Sequence, residues 1–147
     1  MKIVLEKGAI LPRYAHEQDA CCDIFALEDT EWTLSKGFHT AIVRTGIRIQ
    51  VPYGYVALIY SRSGQGFKQD ISLSNGTGII DSGYTGEVLI KLVCSKITLD
   101  SPAEIKAGQA IGQMMLVENP KIYWKQVEKL VDTDRSEDGF GSSDNKY

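Results

Sequence analysis

The 147-residue sequence contains no long hydrophobic run. Nothing in it approaches the roughly 20 apolar residues that cross a bilayer, so no membrane partner is expected. The opening residues, Met-Lys-Ile-Val-Leu-Glu-Lys, are charged too early for a secretory signal, and a cytoplasmic location is expected. Cysteine is scarce: Cys21, Cys22 and Cys94. An odd count with an adjacent pair makes no disulfide framework, and no pair has metal-ligand spacing. Excess basic charge is also missing. The net charge of −3 removes the electrostatic case for a duplex nucleic-acid partner, though not for a compact phosphate pocket. The two histidines, His16 and His39, lack the Cys, Ser or Asp neighbours of a triad or metal site, and surface or turn positions are expected for them. A sustained 3.6-residue period is absent too, so very little helix is expected.

What the chain does have is many short β-prone segments divided by Gly and Pro. Its length indicates one domain. Strands are predicted at 2–5, 31–34, 40–43, 44–51, 55–60, 71–73, 87–94, 97–99 and 110–117. In 44–51 a period of two puts Ile47, Ile49 and Val51 on one face. One helical turn is expected in the Gly- and Lys-containing stretch after Ser61-Arg62-Ser63-Gly64. Segment 122–131, rich in Ile, Tyr, Trp and Val and preceded by Pro120, reads as a further strand. The fold class expected is all-β, a sandwich, jelly roll or barrel.

Residues 74–88 stand out. They hold Gly76, Gly78, Gly83 and Gly86 and one acid, Asp81, behind Ile79 and Ile80. Asn75-Gly76 is a hairpin signal, because a type I′ turn needs φ > 0 at both central positions. Glycines leave backbone N–H and C=O groups bare to a flat ligand, and an acid held beside them can act as a general base. The plainer reading is a tight hairpin followed by a second turn. The C-terminal segment, 132–147, has the composition of a flexible acidic tail. Yet Phe140 lies between two glycines, with Arg135 before it and Ser142 and Ser143 after. Arg, Gly and Ser are phosphate-holding residue types, and an aromatic can stack on a base.

Taken in order, these stretches resemble the five motifs of the trimeric dUTP pyrophosphatases (dUTPases). The matches are Asp19 to Ile24, Ser61 to Gly64, Asn75 to Glu87, Gly108 to Gln113 and Arg135 to Ser143. The third and fifth are the closest. The resemblance implies a jelly-roll-like β-barrel subunit over 1–131 and a flexible C-terminal arm over 132–147. It further implies a homotrimer whose active sites are shared between subunits, the arm closing over a neighbour's site. The implied substrate is dUTP, cleaved to dUMP and pyrophosphate. This reaction limits uracil in DNA and supplies dUMP for dTTP synthesis.

The resemblance implies a role for each residue. Asn75, Gly76 and Gly78 would read uracil, and Tyr84 would lie under the deoxyribose. Asp81 would activate water. Arg62, Ser63, Gly64, Gln113, Arg135, Gly141 and Ser142 would hold phosphates, and Phe140 would stack as a lid. The implied cofactor is Mg2+, held by phosphate oxygens and water with no direct protein ligand, Asp23 reaching it through water. The chain departs from the family pattern at Cys21, Ser61, Ala110, Gly112, Ser136 and Asp144. Cys21 and Ser61 stand where Gly and Pro are usual, and Ala110 where a basic residue is usual. The related dCTP deaminases share the fold but typically carry Glu where Asp81 stands. A non-catalytic dUTP sensor on this fold is the other alternative, and a regulatory protein partner is compatible with catalysis.

Overall fold

The computed structural model describes residues 1–35, 37–95, 102, 104–133 and 136. Among the described residues, nine strands and one short helix run in the order β1 (Lys2–Leu5), β2 (Cys22–Phe25), β3 (Thr33–Ser35), β4 (Phe38–Gln50), β5 (Tyr55–Tyr60), α1 (Ser63–Gln69), β6 (Ile71–Leu73), β7 (Gly78–Ile80), β8 (Glu87–Cys94) and β9 (Ala110–Glu118). They form two antiparallel sheets. One has the order β1-β4-β8-β6 with β3 also on β4, and the other the order β2-β9-β5-β7. The all-β, jelly-roll-like expectation holds. The two sheets remain separate, however, and do not join into one closed barrel.

Alternation along the strands produces the core. Val43, Ile47, Ile49, Ile90 and Leu92 from the first sheet meet Ile24, Ala57, Ile59, Ile111 and Met114 from the second in one buried cluster. Each large aliphatic side chain there contributes about 1.5–3 kcal/mol by leaving water. The layers touch closely at Gly112, where an added Cβ would come within 3.0 Å of Ile90 Cδ1.

The segments read separately as 40–43 and 44–51 are one strand, β4. The strand carries a bulge: its register against β8 shifts between Arg44 and Arg48. Thr45 supports it, its hydroxyl donating to Val88 O (2.6 Å) and accepting from Ile47 N–H (3.3 Å). Gly46 N–H donates to Glu87 Oε1 at 2.9 Å.

Three expectations are corrected. Asn75-Gly76 does not close a hairpin, because β6 pairs with β8 and β7 pairs with β5. The turn carries the chain from one sheet to the other. Of its two residues Gly76 alone has positive φ, 72°, so the turn is not type I′. Segment 122–131 is not a strand. It has no pairing partner among the described residues, and Tyr123 and Trp124 are 90% and 88% exposed. His39 is not a surface residue but is buried in β4. The strand expected at 97–99 lies outside the described residues.

Candidate active site

A cavity of about 690 Å3 opens where β5 ends and α1 begins. Arg62, Ser63 and Gly64 line it beside Asp19, Cys21, Asp23, Lys68 and Gln113. Antiparallel pairing of β2 with β9 places Asp23 directly opposite Gln113. The guanidinium of Arg62 bridges Asp23 on β2 and the Ala110 carbonyl on β9. Its Nε donates to Asp23 Oδ1 (3.0 Å), its Nη2 to Asp23 Oδ2 (3.3 Å) and its Nη1 to Ala110 O (3.4 Å). The fork is therefore oriented before any ligand arrives, which suits planar recognition of phosphate oxygens. Gln113 Nε2 donates to Ser61 O at 2.8 Å. Gly64 faces open space, with nothing within 4 Å of an added Cβ, so its backbone is accessible. Burial pushes the Cys21 thiol above its ordinary pKa, and the Asp23 carboxylate adds to this. Cys21 thus lines the wall as a neutral thiol rather than as a nucleophile.

A second cavity, about 270 Å3, lies against the turn between β6 and β7. Leu73, Ser74, Asn75, Gly78, Ile79, Leu89 and Lys91 line it. Gly78 is buried opposite Ile59, and a Cβ there would sit 3.1 Å from Ile59 Cβ. Gly76 is exposed, and an added Cβ would meet nothing within 4 Å. The turn closes through Gly76 N–H to Leu73 O (3.1 Å) and Thr77 N–H to Asn75 O (2.8 Å).

Beyond β7 the chain turns again, with Tyr84 N–H donating to Asp81 O at 3.0 Å. The Asp81 carboxylate is exposed. Tyr84 is 44% exposed rather than packed in the core, and its hydroxyl donates to Glu87 O at 2.7 Å. The ring lies over Gly86. A Cβ at Gly86 would fall 2.5 Å from the Tyr84 hydroxyl, so any other residue would push the ring out of this position.

The predicted residues thus fall into separate groups. Arg62, Ser63, Gly64 and Gln113 share one cavity with Asp23. Asn75 and Gly78 line another. Gly76, Asp81 and Tyr84 line neither. Arg135, Phe140, Gly141 and Ser142 lie outside the described residues. Asp19, Lys68 and Gln109 line the large cavity without having been singled out as site residues. Asp19 opens the first motif and Gln109 lies in the fourth, so motif position was the available signal for these two. Lys68 had none beyond its place in a Gly- and Lys-containing stretch. Among the described residues, no three His, Cys, Asp or Glu side chains group as a metal site, and no helix is long and apolar enough to cross a membrane.

Comparison with known proteins places this geometry. Residues 7–144 match the dUTPase family model. A deoxyuridine 5'-triphosphate nucleotidohydrolase from Clostridium novyi is 40% identical over 147 residues, covering 97% of this chain and 99% of the relative. That of Clostridium kluyveri is 39% identical, covering 95% and 93%. Among solved structures, a Staphylococcus bacteriophage 80alpha dUTPase with dUPNHPP superposes with a TM-score of 0.81 at 28% identity, covering 97% of this chain and 96% of that one. Its description says that phage dUTPases control transfer of virulence genes. A mutant dUTPase from phage phi11 of S. aureus gives a TM-score of 0.74 at 26% identity, covering 89% and 98%, and is described as coordinating a structural Mg(II) ion. The family match over almost the whole length, the relatives at up to 40% identity and the shared two-sheet fold lead to one conclusion: the chain belongs to the dUTPase family.

Proposed function

We propose that this protein hydrolyses dUTP to dUMP and pyrophosphate. The observation that carries the reading is the pair of cavities. One is lined by a pre-oriented Arg62 with Ser63, Gly64 and Gln113, and suits phosphates. The other is edged by Asn75 and by Gly78, which has no side chain to fill it, and suits a flat base. Uracil offers an N3–H donor between two carbonyl acceptors. Backbone groups of Gly76 and Gly78 and the Asn75 amide would complement that edge. A wrong base would leave buried polar groups unpaired, which is the stronger form of selection.

In the reaction, Asp81 takes a proton from a water. The oxygen attacks the α-phosphorus, the α–β bridging P–O bond breaks, and pyrophosphate leaves in line. Positioning and charge neutralisation do most of the work in phosphoryl transfer. Arg62, Ser63, Gly64 and Gln113 hold the phosphates, with Arg135, Gly141 and Ser142 from the arm. Tyr84 supports the deoxyribose and Phe140 covers the base.

The donor set suits Mg2+ carried by the nucleotide. Of the two carboxylates in the large cavity, Asp23 is already engaged by Arg62 through both oxygens, and Asp19 accepts from His16 N–H at 2.8 Å. Asp23 would then meet the ion through water. When bound, Mg2+ would neutralise triphosphate charge, and such a reluctantly dehydrated ion keeps several waters.

Sharing of sites between subunits follows from the division of labour. Phosphate and base residues of one chain lie in different cavities, so chains acting together can complete each site. We propose a homotrimer, with 1–131 as its body and 132–147 as the arm that closes a neighbour's site.

Incubation with each dNTP and Mg2+, measuring pyrophosphate and ammonia, tests the activity. Pyrophosphate should appear from dUTP alone and stop on chelation of the metal. Ammonia from dCTP would move the assignment to deamination. Asp81→Asn should retain dUTP binding and lose about 10²–10⁴ in rate, the scale of a positioned general base. An unchanged rate would remove Asp81 from that role.

A further inference from the structure

We propose that Lys68 binds the phosphate chain of the substrate through its ammonium and supplies the free positive charge of the large cavity. The proposal rests on the reading of this cavity as the phosphate half of a dUTP site. Among the described residues, four charged side chains line it: Asp19, Asp23, Arg62 and Lys68. Two are acids and two are bases, so their formal charges cancel. The cancellation is uneven in space. Arg62 is committed to Asp23, with Nε 3.0 Å from Oδ1 and Nη2 3.3 Å from Oδ2, so its charge is offset where it stands. Lys68 forms no ion pair with any carboxylate among the described residues. Of the two bases, Lys68 is the one whose charge is left for an anion.

The short helix α1 brings it there. Lys68 follows Gly64 by four residues, so the two lie on one face of the helix a turn apart, and both line the cavity. The helix stops directly after Gln69, where Asp70 takes the left-handed conformation (φ 56°) and its N–H donates to Gly66 O at 3.2 Å. Lysine suits the position. It is a point charge with three rotatable donors on a flexible stem, so it follows phosphate oxygens that the fixed fork of Arg62 cannot. Gln109, Ala110 and Gln113 line the same cavity without charge. Loss of Lys68 would therefore leave two acids against one base, a lining that repels a polyphosphate. All these groups belong to one chain, so the argument holds whichever chains complete a site.

Initial rates with dUTP and Mg2+ on the wild type, Lys68→Gln and Lys68→Arg test the assignment. Lys68→Gln should raise KM about tenfold, the scale of one charge-assisted hydrogen bond at an exposed site. Its kcat should change far less, the pattern of lost binding rather than lost chemistry. Lys68→Arg keeps the charge and should stay close to the wild type. Pyrophosphate and deoxyuridine, used as competitive inhibitors, locate the loss. Lys68→Gln should weaken pyrophosphate by the same factor and leave deoxyuridine unaffected. Lys68 is exposed, so both variants should fold. An unchanged KM in Lys68→Gln overturns the proposal. So does a KM in Lys68→Arg as high as in Lys68→Gln, or an equal weakening of deoxyuridine, the mark of a general disturbance. Absence of dUTP turnover by the wild type would overturn the dUTP reading and this proposal together. Turnover with a KM indifferent to Lys68 would overturn this proposal alone.

Discussion

Gly46 and Gly76 both have positive φ, 65° and 72°, but their surroundings differ. A Cβ on Gly46 would lie 2.9 Å from Ala9 Cβ and 3.1 Å from Leu27 Cδ1, whereas on Gly76 it would meet nothing. Gly46→Ala should therefore cost about 2–4 kcal/mol, combining left-handed strain with overpacking. Gly76→Ala should cost only about 1–2 kcal/mol from strain, yet it should raise the KM for dUTP, because the open space there is where a base would come. Denaturant melts and steady-state kinetics on both variants check the contrast. Neither distinction was legible in the sequence. Gly46 sits in Arg-Thr-Gly-Ile-Arg-Ile, which reads as a period-two strand, and the bonds of the Thr45 hydroxyl that support the bulge exist only in the folded chain. Asn75-Gly76 read correctly as a turn, because positive φ is a local demand. Which strands it joins is not local.

At the scale of elements, the strands that alternate were the most legible. β5, β8 and β9 run almost as their patterns predict, because a buried face imposes period two on the residues themselves. Segment 122–131 shows the opposite case. Its Ile, Tyr, Trp and Val suit a strand, but strand propensity needs a partner, and none of the described strands pairs with it. The site was legible mainly through its motifs. Two short stretches, Ser61 to Gly64 and Asn75 to Glu87, announced both cavities, while Lys68 and the Arg62–Asp23 pairing emerge only from three-dimensional proximity. The arm belongs to this scale as well. Removal of residues 132–147 should leave the melting temperature nearly unchanged and lower kcat/KM for dUTP. Unchanged kcat/KM would end the lid assignment.

For the whole molecule, the surface left apolar is large. Leu34, Phe38, Ile42 and Leu89 are exposed on the first sheet, and Ile122, Tyr123, Trp124, Leu130 and Val131 on the segment after β9. Where such side chains gather into one patch, association is its usual explanation. Light scattering should give a mass about three times that of the 16.3 kDa chain. Trp124→Glu should shift that mass toward the single chain while circular dichroism retains the β signal. A trimer unaffected by Trp124→Glu would move the contact away from this segment.

The turn between β6 and β7 also differs from a hairpin in what its length controls. In a hairpin, loop length fixes the register of the two strands it joins. Here the two ends are committed to different layers, one paired with β8 and the other with β5. Each pairing sets its own strand's register, so a residue added to the turn is taken up by the connection and passed to neither ladder. The edge of the proposed base cavity can therefore vary in length while both layers keep their side chains on the core face.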